Sequence, residues 1–578
     1  NDTATTEIYT LSLHDALPIL ASSLITASFL VPDRSDHFFL GKFLMYNLFN
    51  KSMPSVMAHS FSRVPRARIP RSQFKRPIRH PMTFCADYIV PVFFDEILPA
   101  DTVRMDWSWI VRLLTPEVPF MDNLYIDWFA FYCPTRLLQT NFVKMMGEQT
   151  DPGDSIDYAT PKLTSPASTG YTVPTDWSAP TTAQLAGSLQ DYLGSVPPGV
   201  PDFEHHNYGG RMYNFIYNEW FRDQNLQDSV TVDLDDGPDT YTDYVLLKRG
   251  KRHDYFTSAL PWLQKGTAED LPLGTSAPIA TTATAGQFID VTTGGNQRAL
   301  ETNGGAGDRV KIDTIAGDAP LIADLTAATA ATIGQLYQSF AIQDLLQTDA
   351  RGGTRYIELL NAHFGVTSPD FRLQRPEYLG GGSFPFMVTP LAQTSETGTT
   401  ELGTLGAAVA AAGDEFSFIK SFVEHGYLMV MINVRADLTY QQGSNRQFHR
   451  DTRYDFYIPA LANLGEQAIL NKEIFAQGVA ADDNVFGYQE RWAEYRYGIS
   501  YMSDRMRSDH ANSLDVWHLA EDFASLPSLN STFIVGNTPI PRVSSVTTEP
   551  HFIGDFYCRS VWTRPLPLYS VPGLLNRF

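Results

Sequence analysis

The chain has 578 residues, 43% of them hydrophobic and 12% aromatic, so it has material for a large packed core and is not wholly disordered. Its net charge of −21 opposes nucleic-acid binding by the chain as a whole, and no stretch nears the roughly 18 consecutive apolar residues that a membrane-spanning helix needs. Cys85, Cys133 and Cys558 are odd in number, widely spaced and without a CxxC pair, which excludes a disulfide framework and a zinc site and fits free thiols made in a reducing cytoplasm.

Residues 1–52 stand apart. Thr6 to Ile19, TEIYTLSLHDALPI, resembles translated sequencing-adapter read-through, and no caps or sustained periodicity follow before Ser52. The apolar run Ile19 to Val31 lacks a positive flank, because Asp2, Glu7 and Asp15 precede it, so it reads as neither signal peptide nor anchor. This leader is expected to be non-native and disordered, with a natural start at Met53 or Met57. A basic arm follows over 53–82. Its segment HSFSRVPRARIPRSQFKRPIRH (His59 to His80) carries Arg63, Arg66, Arg68, Arg71, Lys75, Arg76 and Arg79 and no acid. Pro65, Pro70 and Pro77 keep it extended and out of any core, while Phe61 and Phe74 offer rings for stacking on bases. These seven cations are the candidate nucleic-acid-binding residues. The alternative is a merely solvated basic tail.

From Thr83 the texture is β. Thr83 to Phe94 is aromatic and β-branched, with Pro91 as an edge or bulge marker. Val103 to Leu114 puts Val103, Met105, Trp107 and Trp109 on one face, and Leu124 to Cys133 is apolar on both faces except at Asp127. A helix is expected over Arg136 to Met146, and another with Met212, Phe215, Ile216 and Trp220 at helical spacing. Residues 266–331, rich in Gly, Ala and Thr, read as a surface insertion, and a flexible loop is expected over about 392–415. Between them, Ile333, Leu336, Tyr337 and Phe340 give a strong helical signal, and a second helix runs from Thr354 to Phe364. Gly426 to Tyr440 and Phe552 to Trp562 return to strand. Periodicity therefore gives a single all-β domain over 83–578, with partly helical loops and a Greek-key or jelly-roll topology whose strand order stays open.

Catalytic signatures are missing: there is no GxxxxGK[ST], HExxH or GxSxG. LGGGSFP (Leu379 to Pro385) reads as a tight turn. In EHHNYGG the adjacent His205 and His206 point to opposite sides of an extended segment and are poor joint ligands. His363 and His425 read as core-edge hydrogen-bonding residues. Glu490 and Glu494, on one face if helical, are as well explained by pairing with Arg491 and Arg496 as by glycosidase chemistry. No catalytic residue, metal or cofactor is assigned.

Several long blocks resemble the major capsid protein of the Microviridae, in its gokushovirus branch. They are IYNEWFRDQNLQ (Ile216 to Gln227), KRHDYFTSALPWLQKG (Lys251 to Gly266), Asp349 to Ser383, SFVEHGYLMV (Ser421 to Val430), FGYQERWAEYRY (Phe486 to Tyr497) and the ending YSVPGLLNRF. They follow the family's order from Met53 onward. Leu263 departs from the expected proline. The resemblance implies an eight-stranded antiparallel jelly roll of viral capsid type tiling a T=1 icosahedral shell around a circular single-stranded DNA genome. It also implies that 266–331 forms a three-fold protrusion contributing to host recognition. Implied partners are identical subunits, the genome, a small basic DNA-binding protein, an internal scaffolding protein, a minor pilot protein and a host cell-surface receptor. Assembly in the bacterial cytoplasm and residence in the virion follow, without enzymatic activity or membrane insertion. The competing reading is a glycan-binding or glycan-cleaving jelly-roll protein.

Overall fold

The computed structural model describes residues 70–165, 187–195, 200, 202–266, 279–280, 322–323, 333–352, 356–365, 374–396, 398, 402–463 and 465–569. The leader, Arg63, Arg66, Arg68 and nearly all of the 266–331 insertion lie outside them.

Nine long strands build the core: β1 Ser72–Phe84, β2 Val90–Ile97, β3 Thr102–Leu113, β4 Leu124–Pro134, β5 Glu377–Pro385, β6 Met387–Ala392, β7 Leu405–Ser421, β8 Gly426–Ala436 and β9 Phe552–Arg564. One sheet has the order β1-β9-β3-β7-β6 and the other β2-β8-β4-β5, with every pairing antiparallel. β5 and β6 are one strand bent at Phe386 from one sheet into the other, so eight strands in chain order run 1-8-3-6-5 and 2-7-4-5. That order is a jelly roll, and the chain is mainly β with long, partly helical insertions.

Alternation places the core. Val103, Met105, Trp107 and Trp109 of β3 all point inward, where they share one apolar cluster with Val430 and Ile432 of β8 and Phe556 and Trp562 of β9. β8 is buried at every position but its last, because the second sheet is covered on its outer face as well. The cover is α1 (Tyr208–Ile216), whose Met212, Tyr213 and Ile216 join Phe131, Met429 and Met431 in a second cluster. Arg211 on this helix is wholly buried. Its guanidinium donates to Asp239 (2.5 and 2.9 Å) and to the carbonyls of Leu138 and Asp235, tying the helix to the chain leaving β4. The three cysteines are buried free thiols; burial pushes the Cys558 thiol up to about 12 and Cys133 up as well.

Several local expectations are corrected. Thr83 to Phe94 is not one strand: the chain changes sheet between Phe84 and Val90, where Asp87 takes φ +68° and its carboxylate accepts from the Thr538 backbone N–H and hydroxyl. Arg136 to Met146 holds two short turns, Thr135–Leu137 and Phe142–Met145, not one helix. LGGGSFP lies within β5 and makes no tight turn. A Cβ at Gly381 would sit 2.5 Å from the Trp128 carbonyl, so glycine lets β5 approach β4. Much of the 392–415 loop is strand, since β7 begins at Leu405. Glu490 ends a strand and Glu494 lies in a 3₁₀ turn, so they share no helix face; Glu490 pairs with Arg496 as expected. α2 (Ile333–Arg351) and α3 (Tyr356–Phe364) form as read, but Tyr337 and Phe340 of α2 remain 70% and 61% exposed.

The one charge on β4 explains its own tolerance. Asp127 is buried beside Arg249 (2.6 Å) and Arg435 (2.8 Å). Burial pushes its pKa up, but the Ser383 hydrogen bond and the two guanidinium groups outweigh this and hold the carboxyl below the usual range. Asp127→Ala would leave Arg249 without its carboxylate and Arg435 with only the more exposed Asp437 at 3.3 Å, and we expect chemical denaturation to show a loss of about 3–5 kcal/mol. A second expectation concerns His551, whose Nδ1 accepts from the Ala86 N–H where β1 meets β9. Burial, aided by Lys248, lowers its pKa to about 4. The unfolded chain, with a His pKa near 6.5, therefore binds this proton first. The stabilisation is complete above about pH 6.5 and fades as pH falls toward 4, by about 3 kcal/mol in total. Denaturation of wild type and His551→Gln at pH 7 and pH 4.5 should show the smaller acid loss in the variant.

Candidate nucleic-acid interface

The two sheets differ in what covers them. Helix α1 and its neighbouring loops close the outer face of β2-β8-β4-β5. On the β1-β9-β3-β7 sheet, the residues that alternate outward stay partly or fully exposed. Arg104 and Arg112 lie on β3, Ile553, Tyr557 and Arg559 on β9, and Lys75 and Arg79 on β1.

Register places these side chains in rows. Lys75 lies opposite Val561, which lies opposite Arg104; Arg79 lies beside Tyr557 and Ser108; Arg112 lies opposite Ile553. The outward charges on these four strands are Lys75, Arg79, Arg104, Arg112 and Arg559 against Asp106, Asp414 and Asp555. Five cations against three anions make this face positive on a chain of net charge −21. Arg79 grips Asp555 through Nε (2.9 Å) and Nη2 (2.7 Å), which raises its own pKa and lowers that of the carboxyl. Arg559 pairs with Asp414, and Arg104 with Asp106 at 3.3 Å. Lys75 and Arg112 have no ion-pair partner among the described residues.

The predicted arm therefore divides. From Ser72 onward it is an edge strand, paired along its whole length with β9, and the folded domain begins there rather than at residue 83. An edge strand tolerates Pro77 and Pro81, because half of its backbone groups face no neighbour, and the prolines also deter pairing with a foreign strand. Arg76 turns inward, 2.6 Å from Asp95 and over the Trp562 ring at 5.1 Å. Arg71 donates to the Ala100 carbonyl and to Thr102 Oγ1 (3.2 Å). Of the seven candidate cations, Lys75 and Arg79 stand on the bare face, Arg71 and Arg76 fasten β1 to its neighbours, and Arg63, Arg66 and Arg68 lie outside the described residues. Arg104, Arg112, Arg559 and Tyr557 escaped sequence reading because they come from separate strands and form no run.

His205 and His206 sit on the three-residue strand Glu204–His206 with different surroundings. His205 Nε2 is 3.1 Å from Gln190 Oε1, and the His206 ring lies against Tyr208 and Tyr427. Burial lowers both pKa values. His363 contacts Asp349 Oδ1 at 2.6 Å. No metal-ligand cluster occurs among the described residues.

The family described as capsid protein (F protein) matches residues 62–574. The chain belongs to this phage capsid family. It is 46% identical to capsid protein VP1 of Bdellovibrio phage phiMH2K over 544 residues, covering 90% of this chain and 98% of that protein. Capsid protein VP1 of Chlamydia phage 1 is 37% identical, covering 91% and 99%, and that of Spiroplasma virus 4 is 35% identical, covering 90% and 98%. The jelly roll is thus the framework of a structural, non-enzymatic Microviridae capsid protein, built into the virion from multiple copies. None of these names supports the glycan-binding alternative.

Proposed function

We propose that this phage capsid protein tiles a T=1 icosahedral shell around a circular single-stranded DNA genome, with the bare β1-β9-β3-β7 face turned toward the DNA. One observation carries the orientation: of the two sheets, the one that no described segment covers bears the excess positive charge, and the basic segment containing Arg63, Arg66, Arg68 and Arg71 leads directly into its edge strand. Phosphates would draw Lys75 and Arg112, whose charges are not spent on carboxylates among the described residues, and release counterions. Tyr557, exposed among them, offers a ring to an unpaired base. The acidic remainder keeps the other surfaces soluble and repels DNA from them.

The same reading assigns the 266–331 insertion to three-fold protrusions that contribute to recognition of a host receptor. It gives the subunit four further partners: the genome, a small basic DNA-binding protein, an internal scaffolding protein and a minor pilot protein. Assembly takes place in the host cytoplasm.

Negative-stain microscopy of the chain expressed from Met53 with its scaffolding partner tests the shell: closed isometric particles are expected, and persistent monomers with the partner present would overturn it. The DNA face needs a truncation that stops before Ser72, since loss of β1 would unpair β9. Deletion of residues 53–70, or Lys75→Ala with Arg112→Ala, should leave shells intact, lower DNA retention and flatten its salt dependence by about 0.7 per lost contact in a log–log plot. DNA content and salt dependence equal to wild type would refute the assignment.

A further inference from the structure

Two exposed patches lie in the connections that leave β4 and β8, whose last residues are at opposite ends of the strand pair. The first follows the last residue of β8, Ala436, in the long β8–β9 connection. Tyr454, Phe456, Tyr457 and Tyr495 each leave 50–59% of their surface in solvent. They form one contiguous group: Tyr457 meets Tyr495 and Trp492, and Arg450 lies over both Phe456 and Tyr495 at 5.3 and 4.9 Å. Trp492 at the centre holds φ +68°, a strained conformation for an indole residue, and its Nε1 donates to the Leu461 carbonyl. The Arg491 guanidinium stacks on Trp492 and donates to the Tyr454 carbonyl at 3.1 Å. Arg453 and Arg491 have no carboxylate partner among the described residues.

The second patch follows the last residue of β4, Pro134, beside the first residue of β8. Met146, Ile156 and Leu234 are 45–55% exposed there, among the exposed acids Glu148, Asp151 and Asp157. The two pieces of chain are joined: the Thr140 N–H donates to the Leu234 carbonyl at 2.8 Å, and Gln139 Nε2 bridges the Ala159 carbonyl and Asp236. β4 and β8 pair antiparallel over eleven residues, so the connections that carry the two patches leave the pair at opposite ends, about 35 Å of strand apart.

We infer that the arginine–aromatic patch of one subunit docks on the acidic, apolar-studded patch of a second copy. Copies carrying −21 each repel one another at a distance, so contact needs individual cations that can meet a neighbour's carboxylates. One patch offers unpaired guanidinium groups among rings already packed in place, and the other offers carboxylates around apolar side chains, which is the composition of an interface core with a polar rim. A polyanion does not fit the first patch, because Glu494 lies 3.9 Å from Arg450 and Asp451 and Asp455 flank Arg453 in sequence, so the patch offers single guanidinium groups and not a continuous cationic surface. Because the patches differ, the contact is head-to-tail, the type that closes into rings and shells.

This inference rests on the shell-forming reading, and the test separates the two. Shells recovered from cells expressing the full chain with its phage assembly partners are compared for wild type, Arg453→Glu, Asp151→Arg and the double variant, with thermal melting as the check on subunit folding. Each single change should lower shell yield at least about tenfold with melting unchanged, and the exchanged pair should return it to within about threefold. Tyr454→Ser, which carries no charge, should give the same loss as the single variants. Wild-type shell formation with undiminished yield in the single variants, or a folded double variant no better than the singles, would overturn the contact alone. Failure of the wild type to form shells would overturn the reading beneath it.

Discussion

The pairing of β1 with β9 closes this fold. Thirteen consecutive residues from Ser72 to Phe84 lie against Arg564 to Phe552, so the sheet that forms the bare face is complete only when both ends of the described chain meet. Without β1, the outer edge of β9 would be open, and Phe84, Phe552 and Trp562 would lose part of their packing. Such long-range contacts repay chain entropy only late in folding, which makes this last closure slow and its edge vulnerable until the strands join. Pro77 and Pro81 limit that vulnerability by removing donors from the edge.

From this closure follows an asymmetry between the two sheets. The connection from β4 to β5 is long enough to fold back over its own sheet, and Arg211 with Asp239 locks α1 there. β8 is consequently a strand without a wet face, and Asp127 on neighbouring β4 needs two arginines. No described segment returns over the other sheet, so its outward residues keep the alternation of a half-buried surface: large apolar side chains inward, Arg, Asp, Ser and Tyr outward.

The architecture was legible from periodicity where a strand alternates or runs apolar on both faces. β3, β4, β8 and β9 were readable within a residue or so at most ends, because alternating or uninterrupted apolar runs report burial directly. The pattern failed where a local signal was overruled by tertiary context. Gly380 to Gly382 spell a turn, but Gly381 serves the close approach of β5 to β4. The Ala-rich start of β7 spells a loop, but it pairs with β3 and β6, where small side chains suffice. The basic run spells a free arm, but its second half finds β9, from which it is separated by some 470 residues. The seven arm cations were visible as a block; the face to which two of them belong was not, because a sheet surface is assembled across strands and leaves no contiguous trace in the sequence.

Charge distribution joins these levels. A subunit with a large uniform negative charge would be soluble but would neither hold DNA nor pack against its copies, since both processes bring like charges together. An excess of cations over anions on one sheet face, and guanidinium groups without a carboxylate partner among the described residues in one end patch, relieve both conflicts locally while the net charge still opposes premature aggregation. The fold makes this separation possible: the strands fix which side chains share a face, and the long β4–β5 and β8–β9 connections carry the two end patches away from it. The two-sheet core thus holds three chemically different surfaces in fixed relation, the sheet face we assign to the genome and the two end patches we assign to neighbouring subunits.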